Sequence, residues 1–122
     1  MMICRICGSD GKKIFESIIL NKYRISYFQC PKCAAVYTEE PYWLDEAYSD
    51  AIVVGDTGIM QRNIQNSVIV NKVIKKYIGD GTFLDTGGGY GIFVRLMRDL
   101  GYDFVWYDKY AENLLARGFE SR

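Results

Sequence analysis

Four cysteines, and only four, constrain this chain more than any other feature. They fall as two C-x-x-C pairs, Cys4 with Cys7 and Cys30 with Cys33, with 22 residues between the pairs. Each pair suits a tight turn whose backbone amides point at sulfur, and two such turns supply four thiolates to one tetrahedral zinc ion. Gly8 follows the first pair and Pro31 lies inside the second, as such turns favour. A redox C-x-x-C comes once, beside a β-α-β unit, and a catalytic zinc keeps an open coordination position. The pattern therefore reads as a structural zinc site held by Cys4, Cys7, Cys30 and Cys33.

Between the pairs, residues 14–20 and 23–29 are rich in β-branched and aromatic side chains, with Asn21 and Lys22 as the turn of a hairpin. Residues 34–38 add a third strand. A ribbon of about forty residues cannot hold itself together by hydrophobic burial alone, so its metal is expected to be structural. Four thiolates and one zinc carry about two net negative charges. The chain itself balances 15 basic against 15 acidic residues, which gives no global attraction to nucleic acid or membrane. It contains no histidine, so proton transfer would fall to Asp, Glu, Lys, Tyr or Cys. No apolar run approaches the roughly 18 residues of a membrane span, and the first residues lack the regions of a secretory signal. The expected location is cytoplasmic, where thiols stay reduced.

Residues 39–41 mark a boundary. Beyond it, residues 42–48 read as one or two helical turns whose aromatics serve packing, and Ile52, Val53 and Val54 as a short strand or buried loop. Asp56, Thr57 and Gly58 offer a cap for a long amphipathic helix ending before Gly79. Its apolar positions are Ile59, Met60, Ile64, Val68, Val73, Ile74 and Tyr77. Arg62 and Asn63 near its start could reach a ligand carboxylate, but a solvated helix face is the commoner use of such residues.

Residues 82–91 then read as a short buried strand breaking into a loop with glycines at 87, 88, 89 and 91. An apolar helical pattern follows at Ile92, Phe93, Leu96, Met97 and Leu100, with Gly101 as its C-cap. Residues 104–107 form a second strand ending at Asp108, and residues 111–116 a further helix. A glycine loop between a parallel strand and a helix suits a nucleotide-like ligand, because amides at the helix start donate and missing β-carbons permit close approach. The dinucleotide fingerprint G-x-G-x-x-G fails from Gly87, since its sixth position is Ile92, and the P-loop pattern is absent. What stands instead is Asp85, Gly87, Gly89 and Gly91 at alternate positions, with Asp108 lying 23 positions after Asp85.

That arrangement resembles the class I S-adenosylmethionine-dependent methyltransferases, whose first motif is an acid followed by alternating glycines and whose second places an acid at the tip of the next strand. The resemblance implies that Gly87, Gly89 and Gly91 let the loop pass close to the methionine part of S-adenosylmethionine, and that Asp85 meets its amino group. Asp108 would hold the ribose hydroxyls, and Tyr107 and Lys109 would flank the adenosine. A four-cysteine ribbon, a linking helical segment and this fold together resemble a group that includes methyltransferases of activated sugars. The implied acceptor is thus a small molecule of nucleotide-sugar type, and no catalytic residue is identified.

The fold class expected is α+β: a β zinc ribbon over residues 1–40, a helical linker over 41–80, and over 81–122 the start of a Rossmann-like α/β domain with an incomplete parallel sheet. The family sheet has seven strands, so the chain is read as the truncated front part of a longer enzyme, or else as one that completes its sheet by association. Alone it is expected to be inactive and to bind cofactor weakly or not at all. Two other functions are considered. A non-enzymatic zinc-ribbon module for protein or nucleic acid would need clustered basic residues, and Lys12, Lys13, Lys22, Arg24 and Lys32 are diluted by Glu16 and the thiolates. A nicotinamide-dependent oxidoreductase is disfavoured by the failed fingerprint.

Overall fold

In the computed structural model, which describes residues 2–122, the chain is a mixed α+β protein. It divides into two compact units, the first ending at Ala47 and the second spanning Tyr48–Arg122. The segment 41–80 is thereby shared between them.

In the first unit, strands β1 (Met2–Ile3), β2 (Asp10–Ile19), β3 (Tyr23–Gln29) and β4 (Val36–Thr38) form one antiparallel sheet in chain order. The hairpin pairs Ile19 with Tyr23, and the Lys22 amide donates to the Ile19 carbonyl at 3.1 Å. Its turn residues are therefore Leu20 and Asn21, both at positive φ (50° and 56°), one position before the pair expected from sequence. Leu20, Asn21 and Lys22 make a three-residue loop; a turn with φ positive at both central positions matches the right-handed twist of the strands, and here that demand overrides the poor fit of a leucine. Phe15 stacks on Tyr27, with centroids 4.5 Å apart, across a bulge between Lys13 and Phe15. Ile25 and Trp43 are buried. Tyr42 packs edge-on to Tyr23 and to Trp43, while Lys22 and Tyr23 bond to Glu46 on α1 (Leu44–Ala47) at 2.9 and 2.6 Å. Of the aromatics after residue 41, Trp43 is packed inside, while Tyr42 and Tyr48 are exposed.

The second unit contains α2 (Ile59–Tyr77), β5 (Thr82–Thr86), α3 (Ile92–Asp99) and β6 (Asp103–Tyr107). Strands β5 and β6 pair in parallel, from Thr82 with Asp103 to Thr86 with Tyr107. Side chains alternate across a strand, so Phe83, Asp85, Phe104 and Trp106 share one face. On that face Phe83 stacks on Phe104 at 5.1 Å, and Ile74, Val94, Met97, Phe104 and Ala116 form the core. Leu84 and Tyr107 on the other face are half exposed. Helix α3 ends in a Schellman turn: Gly101 has φ 91°, its amide reaches Arg98 O, and the Tyr102 amide reaches Met97 O.

Three expectations are corrected. Residues 111–116 are not helical. Their amides find other acceptors: Tyr110 and Ala111 bond Asp108, Leu114 and Leu115 bond the Tyr90 carbonyl, and Ala116 bonds Asn113 Oδ1. Residues 52–54 form neither a strand nor a buried loop, since Val53 and Val54 are exposed. The buried stripe of α2 is also not the expected one, because Met60, Ile64, Val68, Val73 and Tyr77 are exposed while Ser67 and Ile74 are buried. A short stretch near the end had no strand signal in sequence. Trp106 exchanges hydrogen bonds with Phe119 and Ser121, both 2.8 Å, and pairs in parallel with Glu120 on the side of β6 away from β5. No helix of the described residues is long and apolar enough to cross a membrane.

Candidate metal centre and ligand cavity

The two cysteine pairs sit on two turns of the same design. The Cys4 amide bonds Ser9 O and the Gly8 amide bonds Cys4 O, at 2.8 and 2.9 Å. The Cys30 amide bonds Ala35 O and the Ala34 amide bonds Cys30 O, both at 2.9 Å. The residue after each pair is left-handed, Gly8 at φ 72° and Ala34 at φ 60°. These turns bring all four sulfurs within 4.8 Å of one another, with Cys4 to Cys33 at 3.6 Å and Cys7 to Cys30 at 3.4 Å. Two sulfurs on one tetrahedral zinc, each at about 2.3 Å, stand about 3.8 Å apart, so the donor set fits that ion.

The electrostatics suit a cation. The Ser9 amide, then its hydroxyl and Cys30, bring the Cys7 thiol down to about 6, and the Cys7 amide leads in lowering Cys4. Cys33 has the Ala35 amide in its favour, yet burial and the three neighbouring sulfurs push it up to about 12. Four sulfurs this close cannot all ionise without a positive ion among them. The four cysteines are thus positioned to hold a metal ion, consistent with structural zinc.

In the second unit a cavity of about 450 Å³ opens beside the glycine loop, within the range of small-molecule sites. Asp85, Gly87 and Gly89 line it, together with Gly88, Tyr90 and the start of α3, and α2 forms the facing wall through Ile59, Asn63, Asn66 and Val70. The glycines have separate reasons. A Cβ on Gly88 would stand 2.4 Å from the Trp106 ring, whose Nε1 donates to Gly89 O at 2.9 Å. Gly91 is left-handed at φ 88°, and a Cβ there would meet Ala116 N and Asn113 Oδ1 at 2.9 Å. Gly91 is buried and does not line the cavity, so its place in the motif is met by packing.

The two motif acids differ. Asp85 is half-buried, and none of the described residues gives its carboxylate a hydrogen bond or a counter-charge; burial, then the Asp108 charge, raises its pKa. Asp108 is pinned: Oδ1 accepts from the Tyr110 and Ala111 amides and Oδ2 from the Gly89 amide, at 2.8, 2.8 and 2.9 Å. Burial opposes its ionisation, but the amides of Ala111, Tyr110 and Gly89 prevail and hold its pKa down. Tyr107 contributes its backbone, its carbonyl accepting from the Gly87 and Gly88 amides, and Lys109 lies over the Tyr110 ring. Arg62 is taken by Asp56 in a two-point pair at 2.9 and 2.6 Å. Asn66 is a cavity residue that sequence reasoning missed, since nothing in a helical repeat marks which exposed polar residue borders a cavity. No protein-family model matches the chain, and no curated protein matches it.

Proposed function

We propose that this chain is the cofactor-recognising front region of a class I S-adenosylmethionine-dependent methyltransferase, carried on a zinc ribbon. The observation that carries this reading is Asp85, an unpartnered, half-buried carboxylate on a cavity at the mouth of a glycine loop between a parallel strand and a helix. Such a group is costly to hold ionised without a partner, and a ligand ammonium would offset that cost. The pairing of Trp106 with Glu120 supports a Rossmann-like start, because it adds a third parallel segment beyond β6, in chain order.

S-adenosylmethionine supplies an electrophilic methyl group to a carbon, oxygen or nitrogen nucleophile. This chain's part is to bind and orient it. Asp85 accepts from the amino group, and Gly87 to Gly89 give the backbone close approach. Asp108 offers one hydrogen bond to the ribose: three of its roughly four acceptor sites are filled by amides, so the two-point hold expected from sequence narrows to one. The acceptor proposed, an activated sugar, rests on the resemblance.

A nucleic-acid module fits less well, because four of the ribbon's basic residues are engaged by acids, which leaves Lys12 and Lys32. Lys13 and Arg24 pair with Glu16, Lys22 with Glu46, and Arg5 with Glu40. The test is an NMR titration of ¹⁵N-labelled protein with S-adenosylmethionine and NAD side by side. Shifts at the Gly87, Gly88 and Gly89 amides with the former alone support the reading, and preference for NAD overturns it.

A further inference from the structure

Helix α2 turns Ile59, Val70 and Ile74 inward, but polar groups share that face. Its exposed flank carries Met60, Ile64 and Val68, each about half exposed, while Asn63, Ser67 and Asn71 are drawn in. A helix packed on a core by hydrophobicity alone shows neither feature. Two of the inward polar groups are satisfied locally: Ser67 Oγ donates to Ile64 O at 2.7 Å, and Asn71 Oδ1 accepts from the Tyr102 hydroxyl at 2.6 Å. The two asparagines that line the cavity keep spare capacity, Asn63 half-buried and Asn66 exposed. Asn63 uses one N–H, to Ile59 O at 2.8 Å, and Asn66 makes no hydrogen bond among the described residues.

The cavity therefore presents two complementary kinds of polar group. Asp85 can only accept when ionised, whereas a primary carboxamide has N–H donors to give. A ligand end bearing an ammonium and a carboxylate on one carbon uses both. Arg62, the one cationic side chain on this part of α2, is held by Asp56, so carboxylate recognition falls to neutral amides.

From this juxtaposition we infer that Asn63 and Asn66 bind the carboxylate of an α-amino-acid end whose ammonium group is held by Asp85. The cavity then discriminates for the carboxylate, and α2 sets that specificity. The inference deepens the cofactor reading above and rests on it for the rest of the ligand.

The test is an NMR titration of the 122-residue chain with S-adenosylmethionine, its decarboxylated analogue and L-methionine. It compares the wild type with Asn66→Asp and Asn63→Leu. Asn66 is exposed, so Asn66→Asp keeps the fold even where Asn63→Leu does not. The wild type is expected to favour S-adenosylmethionine over the decarboxylated analogue by about tenfold or more, and both variants to erase that preference by weakening S-adenosylmethionine, with no loss of affinity for the analogue. If S-adenosylmethionine binds and the variants weaken both ligands equally, or neither, the inference is overturned and the cofactor reading stands. If only L-methionine binds and the variants abolish it, the inference stands and the cofactor reading falls. Binding in the millimolar range is enough for this readout, and no shift with any of the three up to that range overturns both.

Discussion

Asp85 shows how one residue sets stability against binding. Its pKa in the folded chain is raised, so between the ordinary value of about 3.9 and the raised one the folded state binds the proton more tightly. Stability from that difference is present below the ordinary value and is lost as pH rises through the raised one. Asp85→Asn should therefore raise the melting temperature of the second unit at pH 7 relative to the wild type, with the gap closing in acid, and should weaken S-adenosylmethionine in the NMR titration. Equal melting at pH 7 would show that the burial is harmless. Ala34 makes a separate case. It occupies the left-handed position that Gly8 fills in the partner turn, at φ 60°. Ala34→Gly should stabilise the first unit by about 0.5–1 kcal/mol, the relief of β-carbon crowding less the added chain entropy, measured by denaturant unfolding.

Among the elements, the strand-loop-helix of residues 82–99 was legible because its period changes abruptly from strand to glycines to an apolar helical repeat. Gly88 was not explained by that pattern, because only the Trp106 ring above it rules out a β-carbon. Gly88→Ala should displace the indole, lose its bond to Gly89 O and cost roughly 1–3 kcal/mol. Near-ultraviolet circular dichroism of the tryptophans would report it, and an unchanged spectrum would contradict it. Residues 111–116 are misread as a helix for a related reason: Asp108 does cap the first amides, but Asn113 and Tyr90 then take the donors a helix needs.

On the scale of the whole molecule, the first unit has few buried side chains besides Cys4 and Cys30, chiefly Ile25 and Trp43. Removing the metal should therefore unfold it. Purified protein is expected to hold about one zinc per chain. Chelation, or Cys30→Ser, should erase the dispersed NMR signals of residues 2–38 while those of the second unit persist. Loss of both sets together would show that the two units unfold as one.

The cysteine cluster, the hairpin, strands β5 and β6 and the glycine loop were set by the sequence itself, since cysteine spacing and hydrophobic period are local and each forces a narrow range of backbone; β1 and the pairing of Glu120 with Trp106 carried no such signal. Tertiary structure alone decided which groups remain free. Asp108 and Arg62 looked as available as Asp85 and Asn66 when read along the chain. In the fold, amides from residues 89, 110 and 111 occupy Asp108 and Asp56 occupies Arg62, whereas Asp85 and Asn66 keep their hydrogen-bonding capacity open to the cavity. Whether a polar group is free depends on neighbours distant in sequence, and no periodicity encodes it.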